Sequence, residues 1–203
     1  MSTPAFFLIL LFSGLVAGGT ALAATVTVQV RDAAGKALAD AAVFLESPAA
    51  RAAVKPGRNV AIAQEQRQFT PRVTLVTVGT PVAFPNRDTV RHHVYSFSPV
   101  KTFELKLYAG TPTNPVLFDR VGIAVLGCNI HDNMAAWVVV LDTPYHGRTG
   151  PDGSVTLEGV PADSYRLRAW HPSQPVGAPA LERALGVAAA GVSVDLQLHD
   201  ARP

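Results

Sequence analysis

The stretch Leu126–Val139, which reads Leu-Gly-Cys-Asn-Ile-His-Asp-Asn-Met-Ala-Ala-Trp-Val-Val, carries three side chains that can bind a metal ion. They are Cys128, the only cysteine among 203 residues, together with His131 and Met134. A helix would also place these three on one face, but the run of Trp and Val that follows them favours a strand. We therefore expect a loop between two strands, which can direct all three side chains to one point beyond the end of a sheet.

The three side chains offer three different donor atoms, namely a thiolate, an imidazole nitrogen and a thioether sulfur. This combination suits copper better than zinc or a hard cation, and one more imidazole would complete a trigonal site with a weak axial methionine. A lone cysteine in an exported protein can instead form an intermolecular disulfide or be buried as an inert side chain. The neighbouring His131 and Met134 favour the metal.

A histidine pair lies upstream, in residues 84–95, which read Phe-Pro-Asn-Arg-Asp-Thr-Val-Arg-His-His-Val-Tyr. His92 and His93 open a predicted strand that follows a tight turn. Successive residues of a strand point to opposite faces of the sheet, so only one of the two imidazoles can readily reach a given metal ion.

The Cys-x2-His-x2-Met spacing, preceded at a distance by Asn-x5-His-x-Val, resembles the cupredoxins, the blue-copper proteins of the plastocyanin and amicyanin type. The ligand loop is most similar to the amicyanin-like one, and the resemblance covers roughly residues 70–141. It implies a Greek-key β-sandwich that holds one type I copper ion. By position, the resemblance assigns the ligands as His92, Cys128, His131 and Met134.

The sequence departs from the family pattern beside the first ligand. His93 stands where the family usually has Asn, and Arg91 stands where Pro is frequent. His92 is therefore favoured over His93 by register alone. Asn86 and His93 are candidates for residues that contact the ligands without binding the metal themselves. The resemblance also implies that electrons leave through the edge of His131, beside a docking patch that includes Ile130 and Met134.

Alternating apolar residues predict an all-β chain, with strands near residues 25–31, 41–46, 73–78, 82–85, 92–97, 103–107, 123–127, 136–141, 154–158, 165–170 and 192–198. Residues 47–68 lose the alternation and are expected to form a loop with a short helix. Residues 143–147 are expected to be a linker, and residues 172–190 are rich in Pro and Ala.

The composition changes past Asp142, which predicts a domain boundary there. Together with this boundary, the resemblance implies a cupredoxin-like copper domain over residues 24–142, with its core at 70–141, followed by a small β-sandwich-like module over 143–203. The opening hairpin and the run Tyr165–Trp170 resemble a carboxypeptidase-regulatory-like or transthyretin-like β module. Strands from 25–47 either complete this C-terminal module, with the copper domain inserted between its parts, or belong to the copper sandwich.

The first 23 residues are predicted to be a secretory signal, because Pro4–Ala17 is almost entirely apolar and Thr20–Ala24 offers small residues for cleavage. We therefore expect a periplasmic or otherwise exported protein. An uncleaved N-terminal membrane anchor is the alternative, since the apolar run could nearly span a bilayer. No later segment is apolar for long enough to span a membrane.

Charge and motifs narrow the function further. The net charge of +2 is spread without a block of Lys or Arg, so no nucleic-acid partner is expected. The sequence contains no Gly-x-Ser-x-Gly, His-Glu-x-x-His, phosphate-loop or dinucleotide motif, so we expect no enzyme. The function expected is one-electron transfer, Cu(I)/Cu(II), between redox partner proteins. The alternatives are a copper-holding or delivery protein and a β-sandwich interaction module without metal.

Overall fold

The computed structural model describes residues 23–175 and 177–199, and these fold almost entirely into β-strands. In chain order the elements are β1 (Ala23–Asp32), β2 (Ala42–Glu46), α1 (Pro48–Ala52), β3 (Val60–Ala61), β4 (Ala63–Glu65), β5 (Gln68–Thr70), β6 (Val73–Thr77), β7 (Thr80–Ala83), β8 (His92–Ser98), β9 (Lys101–Tyr108), β10 (Val116–Phe118), β11 (Gly122–Cys128), β12 (Ala135–Leu141), β13 (His146–Arg148), β14 (Ser154–Pro161), β15 (Asp163–Trp170), β16 (Leu181–Val187) and β17 (Val192–Leu198). The prediction of an all-β chain is confirmed.

The middle of the chain forms the sheets that carry the predicted metal ligands. A five-stranded sheet has the order β6-β12-β11-β8-β9, and a three-stranded sheet has the order β10-β7-β3. Apolar residues from both sheets are buried in one cluster, which includes Phe84, Phe118, Leu126 and Val138. Cys128 and Met134 belong to the same cluster, so the candidate site lies against this core.

Strands from the two ends of the chain pair with each other. β1 lies between β14 and β17, and β2 lies between β13 and β15, with β16 completing the second sheet. Alternate residues of β1 are buried, among them Val26, Val28 and Val30, because one face of the strand covers a second apolar cluster. The N-terminal strands therefore pair with strands that follow residue 142.

A third apolar cluster joins these end strands to the five-stranded sheet. It contains Ala42, Phe44, Val73, Val139, Leu141 and Trp170, from β2, β6, β12 and β15. The contact explains why Val138–Leu141 is apolar without alternation, since β12 is covered on both faces.

Several short or edge strands were not foreseen. β3, β4 and β5 are two or three residues long and lie in or just after the segment expected to be a loop, and β10 and β13 are equally short. Such strands give too few residues for an alternation to be recognised. β16 is an edge strand with mostly exposed residues, so its sequence also lacks a clear pattern. The expected short helix is present as α1, where the Ser47 side chain accepts a hydrogen bond from Ala50 N.

The predicted signal segment lies outside the described residues, apart from Ala23, the first residue of β1. Within residues 23–175 and 177–199, no helix is both long and apolar enough to cross a bilayer.

Candidate metal centre

Strand pairing brings the two halves of the predicted site together. β11 pairs antiparallel with β8 through Gly127↔Tyr95 and Cys128↔Val94, so the cysteine at the end of β11 lies beside the start of β8. The next residues form a tight connection to β12, closed by a hydrogen bond from Met134 N to His131 O of 3.0 Å. Cys128 therefore ends β11, and His131 and Met134 lie on the connection between β11 and β12.

His92 points inward from β8 towards the cysteine. Its side chain is fully buried, and its Nδ1 lies 3.9 Å from Cys128 Sγ. The His92 and His131 rings lie 5.0 Å apart between centroids, at an angle of 55°. One ligand atom from each of these three residues lies within 4.8 Å of the others. This group can hold a metal ion.

The state of the donors fits such an ion. His131 Nδ1 is buried and has no hydrogen-bond partner, and an unsatisfied buried nitrogen costs about 1–3 kcal/mol. Coordination of a metal would satisfy that nitrogen. Cys128 is only 4% exposed, so its side chain is largely shielded from water.

Met134 lies in the same buried apolar cluster as Cys128 and is 2% exposed. Its thioether is therefore on the interior side of the ligand loop. The expectation that Met134 contributes to a surface docking patch is wrong, because the side chain is buried. Ile130, at 48% exposure, does lie at the surface beside the partly exposed His131.

His93 faces the opposite side of the sheet and is not in the three-residue donor group. Its Nε2 lies 2.9 Å from Glu104 Oε1, at ion-pair distance but outside hydrogen-bond geometry, and its Nδ1 lies 3.5 Å from Asn129 Nδ2. The ring also packs edge-on against Tyr95. The structure thus gives His93 contacts with the outer face of the sheet.

Asn86 fixes the turn that leads to His92. Its Nδ2 donates hydrogen bonds to Val90 O at 2.8 Å and to Tyr108 O at 2.9 Å. Its Oδ1 accepts a hydrogen bond from Asp88 N at 2.9 Å. Asn86 is buried, and it contacts the turn backbone in this structure, so its effect on His92 passes through that turn.

Asp88 is the residue at this site that sequence analysis missed. Its Oδ2 lies 2.8 Å from His92 Nε2, the ring nitrogen that faces away from the cysteine. Burial raises the pKa of this carboxyl, but hydrogen bonds from Arg67 N, His92 and Gln66 N outweigh it, so the pKa is lowered overall. An acidic residue four positions before a candidate ligand, in the same turn, was the available signal.

Comparisons with known proteins give low similarity over part of the chain. No protein-family model matches the chain, and no curated protein was found to be a relative. Among solved structures, the copper-containing nitrite reductase of Thermus scotoductus SA-01 is 24% identical over 40% of this chain and 22% of its own, with a TM-score of 0.38. A purple cupredoxin of Nitrosopumilus maritimus is 19% identical over 41% of this chain and 100% of its own, with a TM-score of 0.37.

A mutant of amicyanin in its reduced Cu(I) form is 21% identical over 49% of this chain and 98% of its own, with a TM-score of 0.38. The matched region thus spans about a fifth of the nitrite reductase and nearly all of the two smaller proteins. Similarity at this level carries no argument about what this chain binds. The functional argument therefore depends on the donors themselves.

Proposed function

We propose that this chain is an exported copper protein that carries single electrons between redox partner proteins. The observation that supports it most is the convergence of two imidazoles and one thiol, from two separate parts of the chain, with ligand atoms within 4.8 Å of one another. In the proposed site His92, Cys128 and His131 would hold one type I copper ion, and the Met134 thioether would be a fourth, weaker donor.

The copper ion supplies a one-electron Cu(I)/Cu(II) couple when it is bound. The protein fixes the ligands in advance: His92 and Cys128 lie on paired strands, and a hydrogen bond closes the turn that carries His131. Ligands that are held rigidly move little when the charge of the ion changes. A small rearrangement favours fast electron transfer.

Electrons enter and leave at His131 in this proposal. Among the three donor residues, His92 and Cys128 are buried, whereas His131 is partly exposed. The adjacent Ile130 gives the surface an apolar character. A redox partner that docks there approaches the ion through one imidazole, without opening the buried side of the site to water.

The proposed copper module comprises the strands between residues 60 and 141, and the strands at the two ends of the chain form a second β module. Pairing of β1 and β2 with strands beyond residue 142 supports this division. The apolar cluster around Trp170 and Val139 attaches the second module to the outer face of the copper sheet.

The test is to add Cu(II) to the purified mature protein and follow its absorption. Electron transfer predicts one equivalent of copper, an intense colour from the thiolate, and reversible bleaching on reduction and reoxidation. Stoichiometric binding without colour would indicate a copper-holding or delivery protein instead. A chain that binds no stoichiometric copper would be an interaction module without metal.

A further inference from the structure

We propose that Asp88 is a positioning residue that sets the tautomer and orientation of His92, and that the β4–β5 turn is built to hold this carboxylate. The proposal rests on the proposed copper site for its consequences. The contact between Asp88 and His92 can be tested without any metal.

The first observation is that the two ring nitrogens of His92 have different neighbours. Nε2 lies 2.8 Å from Asp88 Oδ2, and Nδ1 lies 3.9 Å from Cys128 Sγ. An ionised carboxylate can only accept hydrogen bonds, so Nε2 must carry the proton. Nδ1, on the side of the ring that faces Cys128, then keeps the free lone pair that a metal ligand requires.

The second observation is what holds Asp88 in place. Its Oδ1 accepts a hydrogen bond from Gln66 N at 2.7 Å, and its Oδ2 accepts one from Arg67 N at 2.9 Å. Asp88 N is in turn bound to Asn86 Oδ1. Two backbone N–H groups therefore hold the carboxylate and a third hydrogen bond holds the Asp88 backbone, so the direction of the carboxylate towards His92 does not depend on that contact alone.

The third observation is the backbone of the turn. Gln66 and Arg67 join β4 to β5 and have φ angles of 54° and 59°. Two-residue hairpin turns with both φ angles positive usually contain Asn-Gly, because other side chains are strained there. Neither residue here is Asn or Gly. A strained backbone of this kind persists only where contacts with the surrounding structure hold it in place. Here the N–H groups of both turn residues donate to the carboxylate of Asp88.

The hairpin is also attached to the turn before His92 by contacts that do not involve the Asp88 side chain. Gln64 N donates to Pro85 O, and Arg87 N donates to Gln64 O, both at 2.9 Å. A substitution that removes only the charge of Asp88 should therefore leave the hairpin docked. This makes Asp88→Asn a usable test.

The consequence for the proposed site is electronic as well as geometric. A carboxylate that accepts the Nε2 proton makes the imidazole a stronger donor at Nδ1. A stronger donor favours Cu(II) over Cu(I). In the Asp88→Asn variant, the new amide can donate to Nε2 and so place the proton on Nδ1, where it competes with the metal.

The copper-free experiment is ¹⁵N NMR of the histidine side chains in the full mature chain at neutral pH. The wild type is expected to show His92 protonated at Nε2, and Asp88→Asn is expected to shift His92 partly or wholly to the Nδ1-protonated form. An unchanged His92 tautomer in the folded variant would overturn the proposal. This outcome is independent of whether the chain binds copper.

The copper experiment compares Cu(II) affinity and reduction potential in the same variant. Loss of a partner of this kind typically costs about 10–100-fold in metal affinity, and we expect that loss together with a higher potential. Affinity within about twofold of wild type and an unchanged potential would overturn the proposed role. If the wild type itself binds no copper, the proposed function fails, and the tautomer measurement still decides the contact.

The matched control is the double variant Gln66→Asn and Arg67→Gly, which gives the turn its preferred residues and keeps both N–H donors and the carboxylate. We expect its His92 tautomer, copper affinity and potential to equal those of the wild type, while its thermal stability is unchanged or higher. If this control reproduces the effects of Asp88→Asn, the effects arise from the turn and not from the carboxylate, and the proposal fails.

Discussion

The two faces of β8 carry neighbouring histidines in very different surroundings. His92 on the inner face and His93 on the outer face are adjacent and both buried, at 0% and 9% exposure. The inner imidazole lies between a thiol and a carboxylate, whereas the outer one lies beside Glu104 and Tyr95. Burial therefore does not identify the ligand. What distinguishes the two histidines is the face of the strand on which each lies and the residues that it meets there.

The largest effect is expected from Cys128→Ser, which removes the sulfur on the inner face. A hydroxyl cannot supply the strongly coupled thiolate bond to copper, so the intense colour should disappear completely. Visible absorption of the copper-treated variant checks this. A variant that keeps the wild-type colour would show that the cysteine is not a ligand.

The next effect separates the two histidines. His92→Ala removes a ligand, so it should lower copper affinity by more than the roughly 100-fold that loss of a ligand's hydrogen-bond partner can cost. His93→Ala should keep the colour and the one-to-one stoichiometry, although it lowers thermal stability. Competition titrations with a copper chelator measure both. The opposite result would place the ligand on the outer face.

A smaller effect is expected from Met134→Leu. Leucine has nearly the same volume, so the cost in stability should stay below about 1.5 kcal/mol. Loss of the weak axial thioether destabilises Cu(II) more than Cu(I), and the reduction potential should rise while copper stays bound. Voltammetry of the two proteins tests this, and an equal potential would contradict an axial role for Met134.

Acid should lower the free energy of unfolding of the copper-free protein, because Asp88 is protonated. Because its pKa is lowered from the ordinary 3.8, the charged carboxylate stabilises the folded chain above that pH, and this contribution is lost as the pH falls below it. The difference in free energy of unfolding between wild type and Asp88→Asn should therefore shrink as the pH falls below about 4. Denaturation of both copper-free proteins at several pH values measures it. A difference that does not shrink below about pH 4 would contradict the assigned contact.

The smallest effect is expected on the outer face at Phe97, which is 73% exposed. Phe97→Ser should change the free energy of unfolding by no more than about 0.5 kcal/mol and leave copper affinity and colour unchanged. Chemical denaturation and the copper titration provide the check. A substantial loss of copper would mean that the two faces are not independent.

The parts of the site that could be predicted were those encoded locally. Cys128, His131 and Met134 lie within seven residues, so their spacing and the Val-rich strand after them sufficed to predict that they lie where one strand ends and the chain turns into the next. The alternation of β8 also predicted that His92 and His93 face opposite ways, as the structure shows. The choice between them depended on resemblance, because nothing local states which face meets the cysteine.

The parts that could not be predicted depend on contacts between distant segments. Asp88 acquires its role from the turn at Gln66 and Arg67, which lies in a segment where two strands of three residues gave no recognisable pattern. The buried position of Met134 likewise depends on how the loop folds over the apolar cluster. Such features become visible only when both segments are placed in three dimensions.

The central claim is that His92, Cys128 and His131 bind one copper ion together, and X-ray absorption at the copper edge tests it most directly. Protein loaded with one equivalent of copper should show one short sulfur and two imidazole nitrogens around the ion, and the sulfur should vanish in Cys128→Ser. A shell of nitrogen and oxygen alone in the wild type, or a shell unchanged by that substitution, would contradict the claim.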